Sequence, residues 1–105
     1  MEDFYCGEVL SGRTPVEVVH ETGNVLAFEH TRPHYKDAHV VVIPKRHIAS
    51  FIDFDDGDAD IVREVLEVAR TVARMVAEEW GGAHVVTNVG KYQESKHLHI
   101  HVGAG

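Results

Sequence analysis

The chain has 105 residues, 44% of them hydrophobic and 26% charged, with a formal net charge of -7. That length suits one domain with one core, and the acidic balance argues against broad electrostatic binding to nucleic acid or to an anionic membrane. No apolar run approaches the roughly 20 residues of a membrane span, nothing at the N-terminus resembles a secretion signal, and the single cysteine, Cys6, cannot form an internal disulfide, which suits a reducing, cytoplasmic setting.

Residues 3–10 read as a short helical turn anchored by Phe4, Tyr5, Val9 and Leu10. Gly12 and Pro15 mark a turn. Residues 16–21 are rich in β-branched side chains and predict a strand. Thr22-Gly23-Asn24 predicts the hairpin that joins it to a second strand at residues 25–28. Residues 29–37 are polar, contain Pro33 and read as a loop. Residues 39–43, His-Val-Val-Val-Ile, predict a central strand buried on both faces and stopped by Pro44. Lys45-Arg46-His47 is a basic turn, and residues 48–54 suggest a short helix with Ile48, Phe51 and Ile52 inward. Residues 55–60 are an acidic helix start. The long helix then runs to Trp80, with Val62, Val65, Leu66, Ala69, Val72, Ala73, Val76 and Trp80 as its buried stripe and Glu64, Glu67, Arg70, Arg74 and Glu78 on the solvent side. Gly81-Gly82 is its stop. Residues 84–88 predict a strand and residues 89–96 a polar loop.

The end of the chain carries the chemistry. His97-Leu98-His99-Ile100-His101-Val102 places an imidazole at every second residue. In an extended strand all three point to one face, and Leu98, Ile100 and Val102 to the other. The element order predicts an α+β domain, an antiparallel sheet with one face covered by the long helix. Three imidazoles in a row have three readings. A neutral imidazole attacks phosphorus or acyl carbon and passes protons near pH 7, with neighbours that stabilise phosphate oxygens. His-x-His is also a good pair of zinc ligands. The third reading is a polar strand face without a role.

Residues 97–103 resemble the motif His-φ-His-φ-His-φ-φ of the histidine triad (HIT) family, where φ is apolar, except for Gly103 in the last place. His39-Val-Val-Val-Ile-Pro-Lys-Arg-His47 is similar to the family's His-φ-φ-φ-φ-Pro-Lys-x-His segment. Val85-Val86-Thr87-Asn88, followed by a glycine-bearing loop to Gln93, is a third match. The resemblance implies one HIT domain over residues 1–105: about five antiparallel strands, one long helix and one or two short helices. It implies that His99 attacks an α-phosphate, oriented by the carbonyl of His97, to form a nucleotidyl-histidine that water releases. His101 would contact phosphate oxygens and the leaving group, and His39 would support the first histidine of the triad. Asn88 and Gln93 would approach the phosphate and ribose, and Phe28 would wall the nucleoside pocket. The implied substrate is a purine nucleoside phosphoramidate, adenylate or dinucleoside polyphosphate, the implied assembly a homodimer, and the chemistry needs no metal or cofactor.

Two residues depart from the pattern inside the implied site. Glu94 stands where one branch has a small hydroxyl residue that helps the leaving group; a carboxylate there repels phosphate, or donates a proton if its pKa is raised. His30 stands where that branch has an aspartate for the ribose hydroxyls. A non-catalytic nucleotide-binding module and a histidine-rich metal-binding domain are the alternative readings. His47, His84, His20 and His34 are expected to be ordinary, and Cys6 lacks the partner of a Cys-x-x-Cys zinc site.

Overall fold

The apolar run at residues 39–43 becomes the middle of a sheet. In the computed structural model, which describes residues 3–105, five strands are present: β1 (Val18–Glu21), β2 (Val25–Glu29), β3 (Ala38–Pro44), β4 (His84–Val86) and β5 (Ile100–Ala104). All pairings are antiparallel and the strands lie in the order β1-β2-β3-β5-β4. Each residue from Val40 to Pro44 is buried, as expected of a strand covered on both faces.

The helix α1 (Ala59–Trp80) covers one face. Val65, Val68, Ala69, Val72 and Val76 pack there on Val25, Ala27, Val40, Val42, Ile100, Val102 and Ala104. The other face carries Leu26, Phe28, Val41 and Ile43, covered by Tyr5 and Val9 from the N-terminal turn Tyr5–Val9. The histidines share this second face, because His101 pairs with Val41 and His39 with Gly103. Among the described residues no helix is long and apolar enough to cross a membrane.

The start of α1 is built as its acidic run predicts. Asp55 Oδ1 accepts the N–H of Gly57 at 2.9 Å and Asp58 Oδ2 accepts that of Asp55 at 3.3 Å, closing a capping box at the entry turn. Gly81 closes the other end at φ 86°, its N–H bonded to the Ala77 carbonyl.

Four expectations are corrected. First, Leu66 and Trp80 are 47% and 46% exposed, and Val68 takes their place in the buried stripe. At about 100° per residue Leu66 lies a quarter turn from the stripe's centre. Second, Glu64 is half-buried: it accepts hydrogen bonds from the Thr22 hydroxyl and from the backbone and side chain of Asn24, so the helix clamps the β1–β2 turn. Third, residues 48–54 form no helix. Ser50 Oγ donates to Asp53 Oδ2 at 2.6 Å and accepts the Ile52 N–H at 3.2 Å, a local alternative to helical bonding that leaves Phe51 and Ile52 exposed. Only Ile48 is inward, packed with Val62 and Leu98. Fourth, the regular pairing of β5 begins at Ile100, three residues later than the histidine run, and β4 stops at Val86. The run-in keeps its alternation by irregular bonds, Leu98 N–H to the Ile48 carbonyl at 2.6 Å and the Thr87 hydroxyl to the His99 carbonyl at 2.8 Å.

The departure at Gly103 has a steric cause. The ring of Tyr35 lies flat against this glycine: a Cβ there would sit 2.2 Å from Tyr35 Cδ2 and 2.7 Å from Cγ. The ring is held on its other sides by His84, stacked at 5.3 Å, and His39, edge-on at 4.8 Å. Gly103→Ala is therefore expected to lower stability by about 2 kcal/mol, the usual cost of overpacking. Urea unfolding checks this; an unchanged midpoint would mean that the ring moves aside freely.

Candidate active site

A cavity of about 530 Å³ opens on the histidine face of the sheet, a size that takes a small organic ligand. His99 and His101 from the end of the chain and His39 from β3 lie on its wall. Phe28, His30, Asn88 and Glu94 lie there too, four residues singled out in the sequence on separate segments. Tyr5 packs against the rings of His99 at 5.1 Å and His97 at 5.7 Å, closing the site from the N-terminal side.

His99 is 4% exposed, and its Nδ1 lies 2.7 Å from the carbonyl oxygen of His97. A carbonyl only accepts, so Nδ1 carries the hydrogen and Nε2 keeps its lone pair. Burial pushes the pKa of His99 down, which keeps the ring neutral. This is the state a nucleophilic imidazole needs.

The remaining rings are ordered by a chain of hydrogen bonds. His39 Nδ1 accepts the backbone N–H of His34 at 2.9 Å, so its hydrogen is on Nε2. That nitrogen donates to Nδ1 of His101 at 2.8 Å. His101 in turn keeps its hydrogen on Nε2. His30 Nδ1 accepts the N–H of Arg32 at 2.9 Å, so it too carries hydrogen on Nε2, and its ring stacks on His39 at 4.3 Å. Burial, reinforced by the neighbouring imidazoles, brings His39 down to about 3 and His101 down to about 4. The cavity wall thus offers a nitrogen lone pair fixed in place on His99, flanked by the N–H donors of His101 and His30, suited to phosphate oxygens.

His39 was expected to support the first histidine of the run and instead bonds the third. The register decides this: His39 pairs with Gly103 and Val41 with His101, so His39 and His101 are diagonal neighbours on one face. Gln93 was expected near phosphate and ribose. It is buried, and its amide donates to the carbonyls of Ala49 at 2.8 Å and Ser95 at 2.9 Å, which ties down the loop before β5.

His97 faces away from the cavity into a second cluster that the sequence did not reveal. Its Nε2 donates to the Pro44 carbonyl at 2.8 Å, which leaves Nδ1 with a lone pair. That lone pair lies 3.3 Å from Cys6 Sγ and 3.3 Å from Asp3 Oδ2. His47 Nδ1 is 2.8 Å from the same carboxylate oxygen and 3.6 Å from the sulfur. Asp3 Oδ2 is buried yet has no aligned hydrogen bond. Four donor atoms, one S, one O and two N, all lie within 4.8 Å of one another, a set that fits a tetrahedral zinc ion. The ring hydrogen of His97 on a carbonyl is the usual outer support of a metal-ligating imidazole. The available signal was Asp3-x-x-Cys6, read as lacking a cysteine when a carboxylate serves as a ligand. His30, His39 and His101 also lie within 4.8 Å of one another. Their hydrogen bonds place hydrogens on His30 Nε2 and His39 Nε2, so these rings are wired as donors.

The family model described as "Scavenger mRNA decapping enzyme C-term binding" matches residues 5–104. An uncharacterized 13.2 kDa HIT-like protein of Azospirillum brasilense is 37% identical over 107 residues, covering 92% of this chain and 81% of its own. A HIT family hydrolase from Legionella pneumophila superposes with a TM-score of 0.84 at 33% identity, covering 99% of this chain and 93% of its own. A zinc-bound histidine triad family protein from Mycobacterium smegmatis superposes with a TM-score of 0.81 at 28% identity, covering 95% of this chain and 72% of its own. With the alternating histidines on one sheet face and matches across nearly its whole length, the chain belongs to the histidine triad family, in the group whose model is described as Scavenger mRNA decapping enzyme C-term binding.

Proposed function

We propose that the chain is a nucleotide hydrolase or transferase that cleaves a nucleoside phosphoramidate, adenylate or dinucleoside polyphosphate at the α-phosphate through His99. The observation that carries this is the bond from His99 Nδ1–H to the His97 carbonyl at 2.7 Å, which leaves Nε2 as the lone pair at the cavity. The similarity to a HIT family hydrolase at 33% identity supports the reaction type. In the proposed first step Nε2 bonds to phosphorus and the leaving group departs. The N–H groups on Nε2 of His101 and His30 hold phosphate oxygens. In the second step water attacks phosphorus and the P–Nε2 bond returns its electron pair to His99. Phe28 and Val41 supply apolar wall for a base, and Asn88 a side-chain amide.

Incubation with adenosine 5′-phosphoramidate followed by acid-free mass spectrometry tests the reading. The expected result is release of AMP and a transient AMP adduct on His99. AMP binding without turnover of any of the three substrate classes would instead favour a non-catalytic nucleotide-binding module.

The homodimer belongs to the same reading. β4 is a sheet edge, and Val85 and Val86 on it are 54% and 37% exposed. A second copy docking there would pair edge with edge and cover these side chains. A cytoplasmic location is likewise part of the proposal and rests on the single cysteine.

A zinc-bound relative at 28% identity also bears on the second cluster. In this chain Asp3, Cys6, His47 and His97 would hold the ion, and its contribution would be to cross-link the N-terminal turn to the ends of two strands. Elemental analysis of untagged protein is expected to give about one zinc per chain, and chelation is expected to lower the melting temperature. Metal-free protein with an unaltered melting temperature would overturn this part.

A further inference from the structure

His39, Gly103 and His84 form one row across three strands. His39 on β3 and His84 on β4 both pair with Gly103 on β5, so their side chains stand on the same face of the sheet. The middle place has no side chain of its own, and the ring of Tyr35, from the loop between β2 and β3, fills it. A Cβ at Gly103 would meet three ring carbons of Tyr35 within 2.8 Å, so glycine is what admits the ring. Seated there, the ring stacks on His84 at 5.3 Å with 16° between the planes, and meets His39 edge-on at 4.8 Å and 69°. Tyr35 also lines the cavity, together with His30, Thr31, Arg32 and His34 of its own loop.

That seat bears on the imidazole beside it. An imidazole turns readily about its Cβ–Cγ bond, and a half turn exchanges its two nitrogens. Three contacts hold His39 in one orientation. The ring of His30 stacks on it at 4.3 Å, the ring of Tyr35 meets it at 4.8 Å, and the N–H of His34 donates to its Nδ1 at 2.9 Å. Tyr35 supplies one of these contacts itself, and His34, which supplies another, is its neighbour in the chain. The ends of the loop are tied separately, His30 N–H to the His39 carbonyl at 2.8 Å and Asp37 N–H to the Ala104 carbonyl at 3.0 Å. Between those ties, the insertion of Tyr35 over Gly103 sets where the His34 N–H lies. His39 in turn holds His101: its Nε2–H donates to His101 Nδ1 at 2.8 Å, which leaves the Nε2–H of His101 for the cavity.

We propose that Tyr35 is a positioning residue: seated on Gly103, its ring holds His39, and through His39 it aims the His101 N–H at the phosphate in the transition state. This rests on the hydrolase reading above and adds the residue that orders the donors on the phosphate side. A donor aimed before reaction needs no reorganisation as charge develops, whereas a ring free to turn spends part of its time with the wrong nitrogen forward. The loss falls on kcat more than on KM, since ground-state binding also draws on Phe28, Val41 and Asn88. The departure at Gly103 has the same origin. The last apolar side chain of the motif is given up there, and a ring from the β2–β3 loop takes its place.

The test compares kcat and KM for adenosine 5′-phosphoramidate in the parent, Tyr35→Leu and Tyr35→Phe. Tyr35→Leu is expected to lower kcat about 10-fold or more, with KM within about 3-fold. Tyr35→Phe keeps the ring that makes the contacts and should hold kcat within about 3-fold of the parent. Tyr35→Leu is then made in a His101→Gln background, where the group to be aimed is gone. There it should change kcat by less than about 3-fold. Equal losses in both backgrounds would mark Tyr35 as structural only, and an unchanged kcat in Tyr35→Leu would remove it from the site. Circular dichroism checks folding, and Tyr35→Met replaces Tyr35→Leu if that variant is unfolded. Nitrogen NMR reads the rings without turnover. In the parent His39 and His101 are each expected to carry hydrogen on Nε2 alone, and in Tyr35→Leu to show both tautomers. If no phosphoramidate is cleaved, the hydrolase reading fails and the NMR comparison still decides. Unchanged ring-nitrogen shifts of both histidines in Tyr35→Leu then overturn the role of Tyr35 independently.

Discussion

His99→Ala is expected to abolish turnover of adenosine 5′-phosphoramidate, by about 10⁴-fold or more in kcat, because no other group on the cavity wall presents a lone pair held by a fixed tautomer. His101 and His30 carry hydrogen on Nε2, and His39 uses both of its ring nitrogens on His34 and His101. AMP affinity should change far less, since the cavity wall is otherwise intact. His99 is buried, so His99→Asn serves as a second variant that fills more of the space. Loss of the nucleotidyl adduct in mass spectra must accompany the loss of rate. Full turnover by either variant would remove His99 from the mechanism.

Acid is expected to destabilise the fold through the same ring system. In the folded chain His39 titrates at about 3 and His101 at about 4, both depressed first by burial and then by neighbouring imidazoles. In the unfolded chain both take up protons near pH 6.5. Between these values the unfolded state binds more protons, so stability is full above about pH 7 and falls as pH drops toward 4. One imidazole kept neutral costs about 2 kcal/mol at pH 5. With a discount for screening at half-exposed His101, the pair should cost about 3 kcal/mol there. Urea midpoints measured from pH 7.5 to 4.5 read this slope. Replacing His39 and His101 together by glutamine should make it shallower, the rings of His30, His97 and His99, which burial also depresses, keeping the remainder, and an unaltered slope would place the protons elsewhere.

Some of the protein was readable residue by residue. Period two in the histidine run put Leu98, Ile100 and Val102 in the core and the imidazoles on the other side, because alternation is a local property of an extended backbone. The β-branched run at residues 39–43 became the central strand, and the acidic start and Gly81 bracketed α1 as their capping chemistry requires. The errors share a different origin. Residues 48–54 have helical apolar spacing, yet the Ser50 hydroxyl bonds its own backbone and ends the matter locally. Glu64 sits on the polar side of its helix pattern, and only the position of the β1–β2 turn above it makes it a clamp. Gln93 is polar and close to the histidines in sequence, yet the carbonyl of Ala49, 44 residues away, draws its amide inward.

By itself, then, the sequence determined which faces are apolar, where helix and strands begin and end to within a few residues, and which residue types are available for chemistry. These follow from short-range backbone geometry and side-chain entropy. Only the tertiary structure decided who partners whom. Strand register paired His39 with His101 rather than with His97. Chain closure brought Cys6 within 3.6 Å of His47, 41 residues on, and within 3.3 Å of His97, 91 residues on. Ligand geometry and electrostatics act over a few ångströms of space, and spacing along the chain carries no record of that distance until the sheet has closed.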